Sequence, residues 1–289
     1  MYSDRVTAVT VAYNSGHAIA GCLDSLRGCA LVVVDNASGD DTQAIVREHF
    51  PEARIVANTR NEGFGRANNR GCALATTDYV LFINPDARLT PGSLDTLLEA
   101  ASRHPEAALI APRIVRPGGR VEVSHDVDLW RRSEMPPGPA PAPEGDICAD
   151  FLSGAVLLLR RSALQGYPPF DPSIFLYYED DDLCLRLRRA GHALIQVPEA
   201  VAEHVGGGAS RPNWRITWRK FWHMAWSRLY LEEKYFGEAA AAMTGVAHLL
   251  RFGPKAIGYL LILNSRKALR DAARYAGTFA YLFGVKAIR

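Results

Sequence analysis

Four runs in the first third of the chain, residues 6–12, 31–35, 54–57 and 79–83, are largely apolar at both odd and even positions, and segments of helical periodicity fill the gaps between them. A strand with one face in water alternates apolar and polar residues, so runs that do not alternate belong to a sheet covered on both faces. The intervening segments 17–27, 41–50, 65–75 and 91–102 provide that cover. The second of them opens at Ser38 or Asp40, and the fourth holds Pro91 in its first turn. Strand and helix in strict turn predict an α/β fold, a mostly parallel sheet with helices on both faces.

Sheets of this kind collect ligands beyond the carboxyl ends of their strands. The four exits read Tyr13-Asn14-Ser15, Asp35-Asn36-Ala37-Ser38, Asn58 through Asn61-Glu62-Gly63-Phe64, and Asn84-Pro85-Asp86. Any one of them is explained as a turn, since Asn, Asp, Ser and Gly make turns. Four polar exits on one sheet edge point to a binding site.

The chain changes character over residues 116–147, where Arg116-Pro117-Gly118-Gly119 and the proline-rich run from Pro136 to Pro143 read as a mobile loop or linker. Residues 151–159 are an apolar strand-like run, 168–172 are rich in turn formers, and Glu179-Asp180-Asp181-Asp182 opens an amphipathic helix that Gly191 ends. Residues 192–197 read as another strand, followed by Glu203-His204 and the glycine triplet 206–208. From 213 to 235 Trp214, Trp218, Phe221, Trp222, Trp226 and Tyr230 recur at helical spacing among Arg215, Arg219, Lys220 and Arg228, and two further helical segments cover 239–252 and 256–287. No apolar run reaches the roughly 18–20 residues that span a bilayer.

At 289 residues and 48% hydrophobic content the chain can build one large or two modest domains. A net charge of +2 conceals a division: residues 211–289 hold 14 Lys and Arg against 4 Asp and Glu, a balance of +10, leaving 19 basic and 27 acidic groups, −8, in the first 210. The division sets a domain with other business, over 1–210, apart from a basic, aromatic helical region over 211–289 with an anionic partner. A membrane surface suits the tail, because basic and aromatic amphipathic helices bind there. The alternative is a helical subdomain that packs its aromatic stripe on the sheet. Nucleic acid is not expected, as no reader motif accompanies the helical spacing. Five cysteines without a C-x-x-C pair indicate neither a disulfide framework nor a zinc site, and residues 6–11 are too short and β-branched for a signal peptide. The expectation is a cytoplasmic protein, with a peripheral position at the inner face of the cell membrane as the open alternative.

Acidic residues at a helix start meet the positive end of its macrodipole, which explains one carboxylate but not four in a row unless some meet a cation. Asp182 stands four residues before Arg186, a spacing for an intrahelical ion pair. Asp180 is the candidate general base, and Glu179 either binds acceptor hydroxyls or caps the helix. The other exits suit a sugar nucleotide. Asp35 can accept from a pyrimidine N3–H, Tyr13 can stack on the ring, and Asp86 can hold a divalent cation that leaves most of its sites to phosphate oxygens and water. His204 is a further candidate ligand or phosphate contact.

The ordered set Val11-Ala12-Tyr13-Asn14-Ser15, Val33-Val34-Asp35-Asn36-Ala37-Ser38, Asn61-Glu62-Gly63-Phe64-Gly65-Arg66-Ala67-Asn68, Asn84-Pro85-Asp86, Phe170-Asp171 and Tyr178-Glu179-Asp180-Asp181-Asp182-Leu183 resembles family 2 glycosyltransferases, most closely their bacterial rhamnosyltransferase branch. The resemblance implies a GT-A fold over about residues 5–210, an inverting single displacement, and Mg²⁺ or Mn²⁺. It implies Asp180 as catalytic base, Glu179 toward the acceptor, Tyr13, Asp35, Asn61, Gly63 and Arg66 toward the nucleotide, and Asp86 and His204 toward the metal. The donor it implies is a dTDP- or UDP-sugar, dTDP-rhamnose for the nearest branch, with a glycan or lipid-linked acceptor such as a polyprenyl diphosphate. UDP-galactofuranose and UDP-N-acetylglucosamine are alternative donors, and a non-catalytic membrane adaptor is the alternative of a different class. The chain departs from the family pattern at Asn84, where a strict D-x-D has an acid, and at Tyr167-Pro168-Pro169, where Gly-Gly precedes the Phe.

Overall fold

The computed structural model describes residues 2, 4–122, 124–132, 144–204 and 213–288. In chain order the first elements are β1 Val6–Ala12, α1 Ile19–Asp24, β2 Ala30–Asp35, α2 Thr42–His49, β3 Arg54–Ala57, α3 Phe64–Cys72, β4 Tyr79–Ile83, β5 Ala87–Leu89 and α4 Ser93–Arg103. The next are β6 Ala107–Val115, β7 Val121–Glu122, β8 His125–Asp126, β9 Ile147–Cys148, β10 Phe151–Leu152, β11 Val156–Arg160, α5 Glu179–Arg189 and β12 Ala193–His204. Three helices finish the chain: α6 Trp214–Phe236, α7 Glu238–Leu261 and α8 Ser265–Leu282.

A ten-stranded sheet runs in the order β3-β2-β1-β4-β11-β6-β12-β5, with β7 on β6 and β9 on β12. Strands β3, β2, β1 and β4 are parallel, as are β6 and β12, while β11 is antiparallel to both its neighbours and β5 is antiparallel to β12. The non-alternating runs explain the layering. Val6, Ala8, Leu31, Val33 and Leu81 pack with α1, α2 and α4 on one face, and Val9, Val32, Val34, Val80 and Phe82 pack with α3 and α5 on the other. Successive residues of a strand point to opposite faces, so nearly every position of β1, β2 and β4 is buried, while edge strand β3 is not, and each large buried apolar side chain adds about 1.5–3 kcal/mol.

The chain forms two compact units, one of residues 1–171 and 180–210, the other of 172–179 and 211–289. Within the second, α6 is capped by Asn213, whose Oδ1 accepts the Ile216 N–H at 2.9 Å. Trp226 is buried, its ring stacks on Tyr230, and its indole N–H donates to the Val285 carbonyl at 2.7 Å. Part of the aromatic stripe is therefore the core of the helical unit itself.

The later chain departs from expectation in five places. Residues 107–115 form a strand, β6, that apolar counting passed over because Pro112 and Arg113 interrupt it. The stretch 116–147 is more than a loop, since β7 and β8 lie in it; its proline-rich part, 133–143, is outside the described residues, as is the glycine triplet 206–208. The run 151–159 is two strands, β10 and β11, separated by a turn at 153–155, and the strand expected over 192–197 continues to His204. The last two helices divide at 262–264 rather than near Pro254, which α7 accommodates within its length.

Candidate active site

The parallel register places Ala12, Asp35 and Ala57 in one row, so the exits of β1, β2 and β3 share an edge. Asn36 ties them. Its Nδ2 donates to Asn61 Oδ1 and the Gly63 carbonyl, both at 3.0 Å, and its Oδ1 accepts from Asn58 Nδ2 at 3.0 Å and the Glu62 N–H at 2.9 Å. Asn61 and Gly63 thus shape the loop that opens α3, with Gly63 at φ 86°. Tyr13 stands half-buried at the first exit and Arg66 half-buried in the first turn of α3.

Asp35 is fully buried at the end of β2. Its Oδ2 accepts from Gln43 Nε2 at 2.6 Å and from the Ser38 N–H at 3.2 Å, while Oδ1 is buried with no hydrogen-bond partner among the described residues. An unmet buried acceptor costs about 1–3 kcal/mol, which a ligand N–H would relieve.

Asp86 and His204 come together because β5 and β12 pair with Ala87 opposite His204. His204 Nε2 is 3.4 Å from Asp86 Oδ1 and Nδ1 is 3.6 Å from Glu122 Oε2, with the amide of Asn84 3.5 Å from Nε2. Burial works against a charged ring at His204, but the hydrogen bond and charge of Asp86, joined by Glu122, outweigh it and raise the pKa.

Asp180 lies in the first turn of α5. The Gly154 N–H donates to its Oδ2 and the Asp181 N–H to its Oδ1, each at 3.0 Å. Burial raises the pKa of Asp180, and the Gly154 and Asp181 N–H groups and the Arg132 charge hold it back only in part. The turn that carries Gly154 is bound in its turn to the Asp86 exit, because the Asn84 N–H donates to the Ala155 carbonyl at 2.9 Å. The rest of the acidic run meets cations: Asp181 pairs with Arg132 at 2.5 Å, and fully buried Asp182 with Arg186 at 2.8 Å. Glu179, buried, belongs to the second compact unit, so the structure does not group it with these residues.

The sequence matches Glycosyl transferase family 2 over residues 7–167. It is also 33% identical to N-acetylglucosaminyl-diphospho-decaprenol L-rhamnosyltransferase of Mycobacterium tuberculosis, over 70% of this chain and 76% of that one. The chain belongs to glycosyl transferase family 2. Within the family it falls in a rhamnosyltransferase-like branch, being 28% identical to rhamnosyltransferase WbbL of Escherichia coli over 60% of this chain and 71% of the relative. Its fold is GT-A with a helical extension. The mannosyltransferase PcManGT of Pyrobaculum calidifontis, solved with GDP-Man and Mn²⁺, superposes with a TM-score of 0.59 at 19% identity, covering 96% of this chain and 87% of that one.

In this glycosyltransferase no group of three His, Cys, Asp or Glu side chains gathers around a metal position among the described residues. Asp86 and His204 nevertheless fit a divalent cation that takes its other ligands from diphosphate and water, since a carboxylate and an imidazole together suit Mn²⁺ better than Mg²⁺. The departure at Tyr167-Pro168-Pro169 leaves Phe170 in place. Its N–H and carbonyl are both held by the Asn69 side chain, at 3.0 and 2.7 Å, and its ring is buried edge-on to Phe64 and Phe82.

Sequence reasoning missed Gly154, Arg132, Glu122 and the role of Asn36. Gly154 had a signal, an isolated glycine inside an apolar run, which marks close approach of another group. A Cβ built there would stand 3.2 Å from the Asp180 Cβ. Arg132 and Glu122 lie in the segment read as a loop and had none.

Proposed function

We propose that this glycosyltransferase is inverting and moves a sugar, with L-rhamnose from dTDP-rhamnose as the donor, onto a glycan or polyprenyl-diphosphate-linked acceptor of a cell-surface polysaccharide. The observation that carries the reading is the backbone link Asn84–Ala155–Gly154–Asp180, which holds a half-buried carboxylate of raised pKa in a fixed place relative to the Asp86 exit. Asp180 accepts the proton of an acceptor hydroxyl as that oxygen bonds to the anomeric carbon, and the bond from that carbon to the nucleotide diphosphate breaks on the opposite face. A carboxylate whose burial strengthens it as a base suits this work near neutral pH. Asp35 binds the N3–H of a thymine or uracil through its unmet Oδ1, Tyr13 stacks on the ring, and Arg66 reaches the nucleotide. Asp86 and His204 hold Mg²⁺ or Mn²⁺, which when bound offsets charge on the leaving diphosphate. Support for the donor comes from the two rhamnosyltransferase relatives, the first named for a diphospho-decaprenol acceptor.

Donor hydrolysis measured across dTDP-rhamnose, UDP-galactofuranose, UDP-N-acetylglucosamine and GDP-mannose, with Mn²⁺ or with EDTA, tests the reading. Preference for GDP-mannose would refute the role given to Asp35, and full activity in EDTA would refute the role given to Asp86 and His204.

The helical unit docks on a membrane surface in this reading. No described helix is long and apolar enough to cross a membrane. On α7, however, Met243, Leu250, Ile257 and Leu261 recur on one helical face, each at least 62% exposed, and the stripe runs on to Leu263 at 90%. Lys255, Arg266 and Lys267 flank it. Full-length protein with Leu261→Asp and Leu263→Asp should lose most of its co-sedimentation with anionic vesicles; unchanged recovery would refute docking through this stripe.

A further inference from the structure

We infer that the helical unit contains a binding site for a phosphate or diphosphate group, in a cavity of about 320 Å³ where Arg228 of α6, His248 and Arg251 of α7 and Arg274 of α8 converge with Tyr178 and Phe252. The cavity would hold about ten waters at ~30 Å³ each, ample room for a tetrahedral oxyanion and its hydration.

Charge points to an anion. Around the cavity, acidic partners are few: Glu232 accepts from Arg228 at 2.6 Å, and buried Asp271 is shared between Arg270 at 2.8 Å and Arg274 at 3.5 Å. Three guanidinium groups line the cavity, and counting Arg270 beside them, four cations meet two carboxylates among the described residues, an excess of two positive charges in a partly desolvated site. Arg251 has no ion-pair partner among the described residues. Its guanidinium lies 5.7 Å from the Phe252 ring and that of Arg274 lies 5.2 Å from it, contacts that orient a cation without neutralising it.

His248 of α7 adds a polar atom to the cavity wall. Its Nδ1 is buried and has no hydrogen-bond partner among the described residues, so a ring nitrogen stands ready for an oxyanion. Burial foremost, and then the charges of Arg228, Arg251 and Arg274, push the imidazole down to about 4, so the ring is neutral and adds no charge of its own to the cluster near pH 7. Planar guanidinium forks from three different helices match the geometry of phosphate oxygens.

Position adds a consequence. Tyr178, which lines the cavity, stands two residues before Asp180 in the chain, and both Tyr177 and Tyr178 have φ 68°. Two bulky residues in the left-handed region are strained and persist only where surrounding contacts hold them. Tyr178 thus belongs both to the cavity wall and to this constrained segment.

Titration calorimetry of the full chain with inorganic pyrophosphate in EDTA tests the site apart from any metal-dependent donor binding. Wild type should bind one pyrophosphate, Arg251→Gln should bind it at least about tenfold more weakly, in line with the ~1.5–3 kcal/mol of a hydrogen bond to a charged group, and Arg251→Lys should recover part of the loss. Arg228→Gln, whose partner Glu232 stays behind, gives a second reading. Vesicles of phosphatidylcholine with and without phosphatidic acid separate the sources. Loss of both pyrophosphate and phosphatidic-acid binding in Arg251→Gln assigns the site to lipid phosphates, and loss of pyrophosphate alone assigns it to a soluble phosphate. Absence of pyrophosphate binding in wild type, or equal affinity in wild type and both glutamine variants, would overturn the inference.

Discussion

The sheet unit and the helical unit handle buried charge in opposite ways. In the sheet unit every carboxylate of the acidic run has a local counterpart: two backbone N–H groups for Asp180, Arg132 for Asp181 and Arg186 for Asp182. In the helical unit cations outnumber carboxylates around one cavity, and buried His223 and half-buried His248 are held neutral. Compensation within the chain tunes a group, as the partial compensation of Asp180 does. An excess left over marks where an outside ion completes the structure.

The sharpest way to break the sheet half of this contrast is Asp180→Asn, which keeps shape and removes the base. Turnover should fall about 10²–10⁴-fold, the usual range for a general base, while donor affinity by calorimetry stays within a factor of two or so. Turnover near wild type would take the base assignment away from Asp180.

The helical half is sharpened by acid. His223 is 7% exposed, stacks on Phe175, and has its pKa lowered to about 4 by burial first and the Arg219 charge second. A folded pKa below the unfolded value of about 6.5 means the neutral ring stabilises the fold above that pH, and the contribution is lost as pH falls toward 4, up to about 3 kcal/mol. Melting followed from pH 7 to 4 should show this loss, and His223→Phe should flatten it. An equal slope in the variant would show that other groups govern acid sensitivity.

Nucleotide recognition gives a smaller effect. Asp35→Asn keeps the size of the side chain but removes the charge from the acceptor, so donor KM should rise about tenfold to a hundredfold with kcat changed much less. An unchanged KM would mean that Oδ1 of Asp35 meets no ligand.

Most of the first 104 residues were legible because the parallel strands carry their evidence locally: β1, β3 and β4 match the apolar runs to the residue, and the exits follow from the strand ends, whereas β5, three residues long, is too short to show a pattern and was missed. Residues beyond 104 were harder because their pairing is not local. Strand β6 contains Pro112 and Arg113 and is stabilised by partners β11 and β12, some 50 and 90 residues away in the chain, whose contribution no window of sequence displays. Asp86 and Asp180 were legible as chemistry, since a carboxylate after a strand or at a helix start stands out in composition. Arg132 and Glu122 were not, because a lone charge in a Pro- and Gly-rich stretch looks the same whether it faces water or a buried acid.

Gly154 joins the two problems, and its substitution is the finest probe of the sheet unit. Its φ does not lie in the left-handed region, so alanine fits the backbone without strain. The added methyl would instead meet the Asp180 side chain, with Cβ at 3.2 Å, Oδ2 at 3.3 Å and Cγ at 3.5 Å. Such contacts require a shift of a few tenths of an ångström in the carboxylate, and a misplacement of 1 Å costs about 10²-fold in a positioned reaction, so Gly154→Ala should lower kcat roughly tenfold. Because the methyl also weakens the Gly154 N–H bond that favours the charged carboxylate, the acid limb of the pH–rate profile should move to higher pH. A melting temperature within a few degrees of wild type would accompany both changes. If kcat fell with the pH profile unmoved, Gly154 would act through packing alone, and the backbone link from Asn84 to Asp180 would lose its place in tuning the base.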